Sequence, residues 1–107
     1  MYEERWQVKI LADILEVVDP NQDIQRIRLE DTNGIAIETN DSGPFGMDVI
    51  WYLSDGVSTI SFPMGATGET DAIKKLQTLD GFDNQELINA MGCTDNKTFI
   101  LLNRIKA

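Results

Sequence analysis

Two turn pairs, Asn33-Gly34 and Asp55-Gly56, constrain the fold of this chain more than any other feature. Asn, Asp and Gly tolerate the positive φ angles that a two-residue β-hairpin turn requires. Each pair stands between runs rich in β-branched and aromatic residues, which favour extended strands. The sequence therefore predicts one β-hairpin over residues 24–40 and another around the second pair.

The run "VIWYL", residues 49–53, lies inside the second predicted hairpin. Its side chains are apolar at odd and even positions alike, so both faces of such a strand would need cover from other elements. We therefore predict that this run is the central strand of the sheet and that it is covered on both sides.

The segment at residues 6–18 fits two structures. Its apolar residues match the stripe of a helix, but they also match two short strands separated by a turn. The β-branched run "ILEVV" and the turn composition of "DPNQD" favour strand, turn, strand. The choice matters because a helix here would cover an open sheet, whereas two strands would extend the sheet towards a barrel.

The C-terminal third of the chain changes to a helical pattern. Ile73, Leu76 and Leu79 have the spacing of a short helix. Thr67 or Thr70 would cap its first turn.

A second helix is predicted by Asp83 and Glu86, which have the spacing of a capping box, and by Gly92 as the stop. We expect this helix to bury three apolar residues, Leu87, Ile88 and Met91. The segment "KTFILLNRIK" then closes the chain as one more strand.

This order of elements is typical of an α+β domain. We predict a single domain over residues 1–107, with a strongly bent antiparallel sheet or a small barrel of six to seven strands and two short helices before the last strand. The hydrophobic content of 42% is sufficient for one core and argues against disorder.

The chain is strongly acidic, with 18 Asp and Glu against 9 Lys and Arg and a formal net charge of −9. Such a field repels phosphate backbones and anionic membrane surfaces, so we expect no nucleic-acid and no membrane partner. The same field attracts a basic protein partner and speeds its association. An acidic surface also serves solubility alone, which is the simpler explanation.

The first residues, "MYEERWQ", carry acids where a secretory signal carries Lys or Arg before an apolar run. No later stretch approaches the length of a membrane span. The single cysteine, Cys93, has no second cysteine to pair with, which agrees with a reducing compartment. We therefore expect a cytoplasmic protein.

Asp19, Asn21, Asp23 and Glu30 occupy the first, third, fifth and twelfth places of an EF-hand calcium loop. The sixth place of that loop requires Gly, but Ile24 stands there and a strand follows. An extended chain carries the last carboxylate away from the first, by about 3.3 Å per residue. We expect no metal site here.

The segment "GATGET" resembles part of a phosphate-binding loop, because Gly68 and Thr70 stand where such loops have Gly and Ser or Thr. Glu69 replaces the lysine between them, and Pro63 replaces the earlier glycine. A carboxylate at the phosphate position reverses the required charge. We expect no nucleotide and no other cofactor.

The sequence also lacks residues that enzymes commonly use in catalysis. The chain contains no histidine, which is the commonest general base and zinc ligand. Cys93 has no histidine to activate it, and no spacing singles out one carboxylate pair among eighteen acids. We therefore predict no catalytic residue and a protein that is not an enzyme.

The stretch "ETNDSGPFGMDVIWY" is the candidate binding surface. It would present Phe45 and Met47 at the sheet edge, with Glu38, Asp41 and Asp48 around them. Apolar residues surrounded by acids have the composition of a protein-binding rim. In the alternative interpretation, Phe45 and Met47 close one end of a barrel and have no binding role.

Three segments of the chain resemble those of a known family. They are the "GPF" loop, the "GATGE" segment and the helix start "GFDN", in this order. The C-terminal two thirds of the chain thereby resemble a family of small uncharacterised bacterial proteins. The resemblance implies a compact domain similar to pleckstrin-homology-like barrels, although those usually end in a helix and this chain is predicted to end in a strand. It implies no activity and no site residues.

These observations favour a non-enzymatic bacterial protein-binding module that neutralises or docks onto a basic partner, in the manner of an acidic immunity protein. One alternative is a small-molecule-binding barrel, whose closed pocket would be lined by Trp51, Tyr52 and Phe62. The other alternative is a structural homo-oligomer that associates through a sheet edge.

Overall fold

The computed structural model describes residues 5–43, 46–93 and 95–104, with the side chains of residues 41–43 and 46–48 outside that description. Within these ranges the chain forms seven strands in two antiparallel sheets and two helices. The elements follow in the order β1 Gln7–Leu11, β2 Ile14–Val18, β3 Ile24–Arg28, β4 Gly34–Gly43, β5 Gly46–Ser54, β6 Thr59–Pro63, α1 Glu69–Leu76, α2 Asn84–Met91 and β7 Lys97–Asn103.

The first sheet has the strand order β1-β2-β3. Leu11 pairs with Ile14 across a two-residue turn, in which Ala12 takes a left-handed φ of 58°. The turn between β2 and β3 is held by the Asp19 carboxylate, which accepts hydrogen bonds from the backbone N–H of Asn21 and of Asp23 at 2.9 and 3.0 Å. The interpretation of residues 6–18 as strand, turn, strand is therefore confirmed.

The second sheet has the strand order β6-β5-β4-β7. The predicted hairpin at Asp55-Gly56 is confirmed, since β5 pairs with β6 and Gly56 has a φ of 90°. Backbone N–H groups of Ser58 and Val57 donate to the Asp55 carboxylate, and these bonds hold the pKa of Asp55 below its ordinary value.

The predicted hairpin over residues 24–40 is wrong. β3 pairs with β2 in the first sheet, whereas β4 pairs with β5 and β7 in the second. A single 3-10 turn at Leu29–Asp31 ends β3, and the Leu29 N–H donates to the Asp13 carbonyl at 2.7 Å. Asn33 then begins the second sheet by donating its N–H to the Ser54 carbonyl at 2.9 Å. The Asn-Gly pair marks the passage between sheets instead of a turn within one.

Local signals predict the start of α2 correctly and the cap of α1 incorrectly. Asp83 caps α2, because its carboxylate accepts from the Glu86 N–H at 3.0 Å, and α2 ends at Gly92 as predicted. At α1 the cap is Gly68 and no side chain takes part, so the prediction of a threonine cap is wrong. Gly68 has a φ of 89°, and a Cβ there would lie 2.2 Å from the Val8 carbonyl oxygen, so only glycine fits.

The prediction of the buried face of α2 is correct only for Leu87. Ala90 is the second buried residue of that helix, at 2% exposure. Ile88 and Met91 remain 63% and 47% exposed, so the expectation that they are buried is wrong. An eight-residue helix makes barely two turns, and a face two residues wide is sufficient to pack it against β7.

The hydrophobic core lies between the two sheets and draws on both helices. Its largest members are Trp51 and Phe62, which stack with their ring centroids 6.0 Å apart, and Leu15, Ile35 and Ile37. The sheets are not closed into a barrel, so the α+β prediction is confirmed only in its coarser form.

Candidate functional site

The outer face of the second sheet is the candidate site. Along β4, the side chains of Ile35, Ile37 and Thr39 are buried in the core, whereas Ala36 and Glu38 alternate with them and face outward. β5 obeys the same alternation. β5 is an inner strand, as predicted, and its outward-facing Ile50, Tyr52 and Ser54 are partly buried, so its two faces are not equally covered by the described residues.

Three residues form a row across this outer face. Ala36 of β4 is paired with Tyr52 of β5 on one side and with Ile100 of β7 on the other. Because neighbouring strands lie about 4.8 Å apart, Tyr52 and Ile100 stand on backbones about 10 Å apart with only a methyl group between them. Ile100 remains 52% exposed and Tyr52 is half-buried.

The small residues of β4 make this row into a trough. Gly34 precedes Ala36 by two positions on the same face, so the floor of the trough is low along its length. The trough has a volume of about 240 Å³, and its floor and walls are largely apolar. It is a shallow, open groove that fits a side chain or a short peptide segment better than an enclosed metabolite.

Glu38 stands at one end of the trough. It lies two residues beyond Ala36 on β4, where it is paired with Ile50 and with Thr98. The Tyr52 hydroxyl donates a hydrogen bond to Glu38 Oε1 at 3.5 Å. Burial, the charge of Glu38 and this hydrogen bond raise the pKa of Tyr52 above its ordinary value, so the phenol stays neutral and acts as a donor.

Charges on this face are of one sign. Among the described side chains, the strand positions that face outward include the acid Glu38 and no lysine or arginine. Lys97, at the start of β7, has its Nζ 5.0 Å from the centre of the Phe99 ring on the core side, and it lines a neighbouring recess together with Glu38. Within the described part of the chain, Glu38 forms no ion pair.

A second, more polar recess lies beyond Glu38 at the same end of the sheet. It has a volume of about 460 Å³ and is lined by residues of β4, of β7 and of the segment before β7. Thr39 closes its core side, where the hydroxyl donates to the Asp95 carbonyl at 2.6 Å. The Cys93 Sγ lies 3.7 Å from the same hydroxyl and is part of this packing.

Of the predicted binding residues, Glu38 is the one whose side chain the structure describes. Glu38 is exposed on the outer face. Asp41 lies on β4, and Met47 and Asp48 lie on β5, but their side chains are outside the described residues. Phe45 lies outside the described residues altogether.

The three residues proposed to line a closed pocket lie on two different faces of the sheet. Trp51 and Phe62 are 0% exposed and stack within the core. Tyr52 lies on the opposite face of the same strand, since side chains alternate along a strand. The structure therefore brings Tyr52 together with Ala36 and Ile100 instead.

Sequence reasoning missed Gly34, Ala36 and Ile100 as members of this face. The signal for Ile100 was weak, because it lies inside the continuous apolar run "FILL". The pairing of β4 with both β5 and β7 is what brings these residues into one row.

Within residues 5–43, 46–93 and 95–104, no group of three or more acidic or cysteine side chains is arranged to hold a metal ion. None of the helices in these ranges combines the length and the hydrophobicity that a membrane span needs.

Comparisons with known proteins found no matching family model, no matching curated protein and no matching solved structure.

Proposed function

We propose that this chain is a non-enzymatic protein-binding module that docks a basic partner protein on the outer face of its second sheet, in the manner of an acidic immunity protein. The observation that carries the proposal is the combination of an open apolar trough with an acid at its end. Protein interfaces have such an apolar centre with charged groups at the rim.

The charge of the chain supports a basic partner. A net charge of −9 attracts a basic protein at long range, and Glu38 supplies a local acceptor beside the trough. The outer face of the first sheet is less suited to this role, because its exposed arginines already pair with neighbouring acids. Arg26 bonds Glu16, and Arg28 lies within ion-pair distance of three carboxylates.

The test is capture of a partner by immobilised wild-type and variant proteins from a lysate of the source organism. Glu38→Lys reverses the charge at the trough. Asp23→Lys makes the same change in net charge on an exposed turn of the first sheet and serves as the matched control. Captured proteins are eluted at low and at high salt and identified.

We expect the wild type and Asp23→Lys to retain the same basic protein at low salt, and Glu38→Lys to lose it. The proposal fails if no basic protein is retained, or if all three baits retain the same proteins. Capture of the chain itself, with self-association in light scattering, would instead identify a second copy as the occupant of this face.

A further inference from the structure

We infer that the trough binds an arginine side chain of the partner, with the arginine stem over Ala36 and its guanidinium group stacked on the Tyr52 ring and paired with the Glu38 carboxylate. This inference rests on the proposed function, because it names the group of a basic partner that the same face recognises.

The dimensions of the trough suit one long, thin side chain. Its walls, Tyr52 and Ile100, stand on strands that flank β4, and its floor is a methyl group and a glycine. The methylene stem of arginine can lie along such apolar surface while its charged end reaches water or an acid.

The end of the trough presents two groups that a guanidinium binds. The Tyr52 side chain lines the trough, where a guanidinium could stack on its ring, and Glu38 offers a carboxylate. The Tyr52 hydroxyl lies 3.5 Å from Glu38 Oε1, so the two groups are already close together before any partner arrives. The exposed Ile100 on the opposite wall contacts the stem and excludes water from it.

Arginine fits these two groups better than lysine does. The planar guanidinium can stack on a ring and pair with a carboxylate at the same time, and it is more weakly hydrated than an ammonium group. Lysine carries a compact, strongly hydrated charge that cannot use both partners in this way.

The test uses three small probes in place of the partner: the N-acetyl amides of arginine, lysine and citrulline. Citrulline keeps the planar head and the stem of arginine but has no charge. Each probe is titrated into the isotopically labelled full chain, and the NMR shifts of the Ala36 and Ile100 methyl groups report binding at the trough. Glu38→Gln is compared with Asp23→Asn, which makes the same change in net charge on the first sheet.

We expect the arginine probe to bind about five- to tenfold more tightly than the citrulline probe, with lysine between them. Glu38→Gln should reduce that ratio towards one, and Asp23→Asn should leave it unchanged. The arginine probe should also lower the raised pKa of Tyr52, because a nearby cation favours the phenolate. Tyr2→Phe leaves Tyr52 as the single tyrosine for this titration.

Equal binding of arginine and citrulline, or shifts that avoid Ala36 and Ile100, would overturn the inference. The proposed function is judged separately by partner capture. A partner captured through Glu38 while the arginine probe shows no preference would leave the docking face in place and remove arginine as its ligand. Arginine preference without a captured partner would support the ligand site and count against the proposed function.

Discussion

The outer faces of the two sheets carry their charges in different ways. On the first sheet, Lys9, Glu16 and Arg26 lie in one row across three strands, and Arg26 Nε donates to Glu16 Oε2 at 2.8 Å. On the second sheet, the corresponding row is Tyr52, Ala36 and Ile100, with Glu38 beside it and no described basic residue. The first face pairs Glu16 with Arg26, whereas the second face leaves Glu38 beside an apolar groove.

Under the proposed function, this difference leaves a strongly acidic chain with one surface whose acid is exposed to a partner. The Glu16 side chain is only 10% exposed because Arg26 and the neighbouring strands cover it. A carboxylate that is already paired and covered cannot readily bind a cation of a partner, whereas an exposed carboxylate can. The following predictions test this contrast with the same or matched substitutions on both faces.

The largest expected effect is on stability at Glu16. Glu16→Ala removes a charge-assisted hydrogen bond from a covered position, so we expect the free energy of unfolding to fall by about 1–2 kcal/mol. Glu38→Ala removes an exposed acid and should cost about 0.5 kcal/mol or less. Urea denaturation of both variants measures the difference, and equal losses would remove the proposed distinction between the faces.

The next largest effects are expected from truncating two isoleucines that are equally exposed. Ile24 on the first sheet and Ile100 on the second are each 52% exposed, so truncation to alanine should cost each about 0.5–1 kcal/mol of stability. Only Ile100→Ala should also weaken binding of the arginine probe, by about two- to threefold. Calorimetry or NMR titration checks this, and a similar loss of binding in Ile24→Ala would contradict it.

A smaller effect separates the hairpin turns of the two sheets. The β5–β6 turn of the second sheet has Gly56 at a φ of 90°, whereas the β1–β2 turn of the first sheet has Ala12 at 58°. A left-handed φ disfavours alanine, so Ala12→Gly should raise the free energy of unfolding by about 0.5 kcal/mol. A decrease in the midpoint of denaturation would show that this turn is not strained.

The smallest expected effect is on the pKa of Tyr52. Glu38→Gln removes the charge that helps to raise the pKa of Tyr52, so the pKa should fall towards the ordinary value of 10.0, whereas Glu16→Gln should leave it unchanged. The sign for stability follows from the raised pKa. The folded wild type holds the phenolic proton more tightly than the unfolded chain, so this contribution is full below the unfolded pKa and is lost as pH rises through the folded value. Absorbance titration in the Tyr2→Phe background measures the pKa of Tyr52 in Glu38→Gln and in Glu16→Gln.

Local signals in the sequence were sufficient for several elements. The Asp55-Gly56 hairpin, the Asp83 cap of α2 and the final strand were predicted correctly, because each depends on groups within a few residues of one another. The strands of residues 6–18 were favoured for a similar reason, since β-branched residues prefer extended conformations.

The candidate site could be predicted only in part. Glu38 was identified because it belongs to an acidic stretch beside apolar residues. Tyr52 was identified for a different pocket, with Trp51 and Phe62, because its run is apolar on both faces. The pairing of β4 with β7, which joins residues 58 to 69 positions apart, was the information that the sequence lacked.

The sequence by itself determined an α+β chain of short strands and two helices with a large negative charge, since turn chemistry, periodicity and charge are properties of neighbouring residues. Tertiary structure alone decided that β3 and β4 enter different sheets and that, among the described residues, the outer face of the second sheet carries an apolar trough. Strand pairing depends on the burial of distant apolar side chains against one another, and Ile27 and Ile37 are both buried although they belong to different sheets.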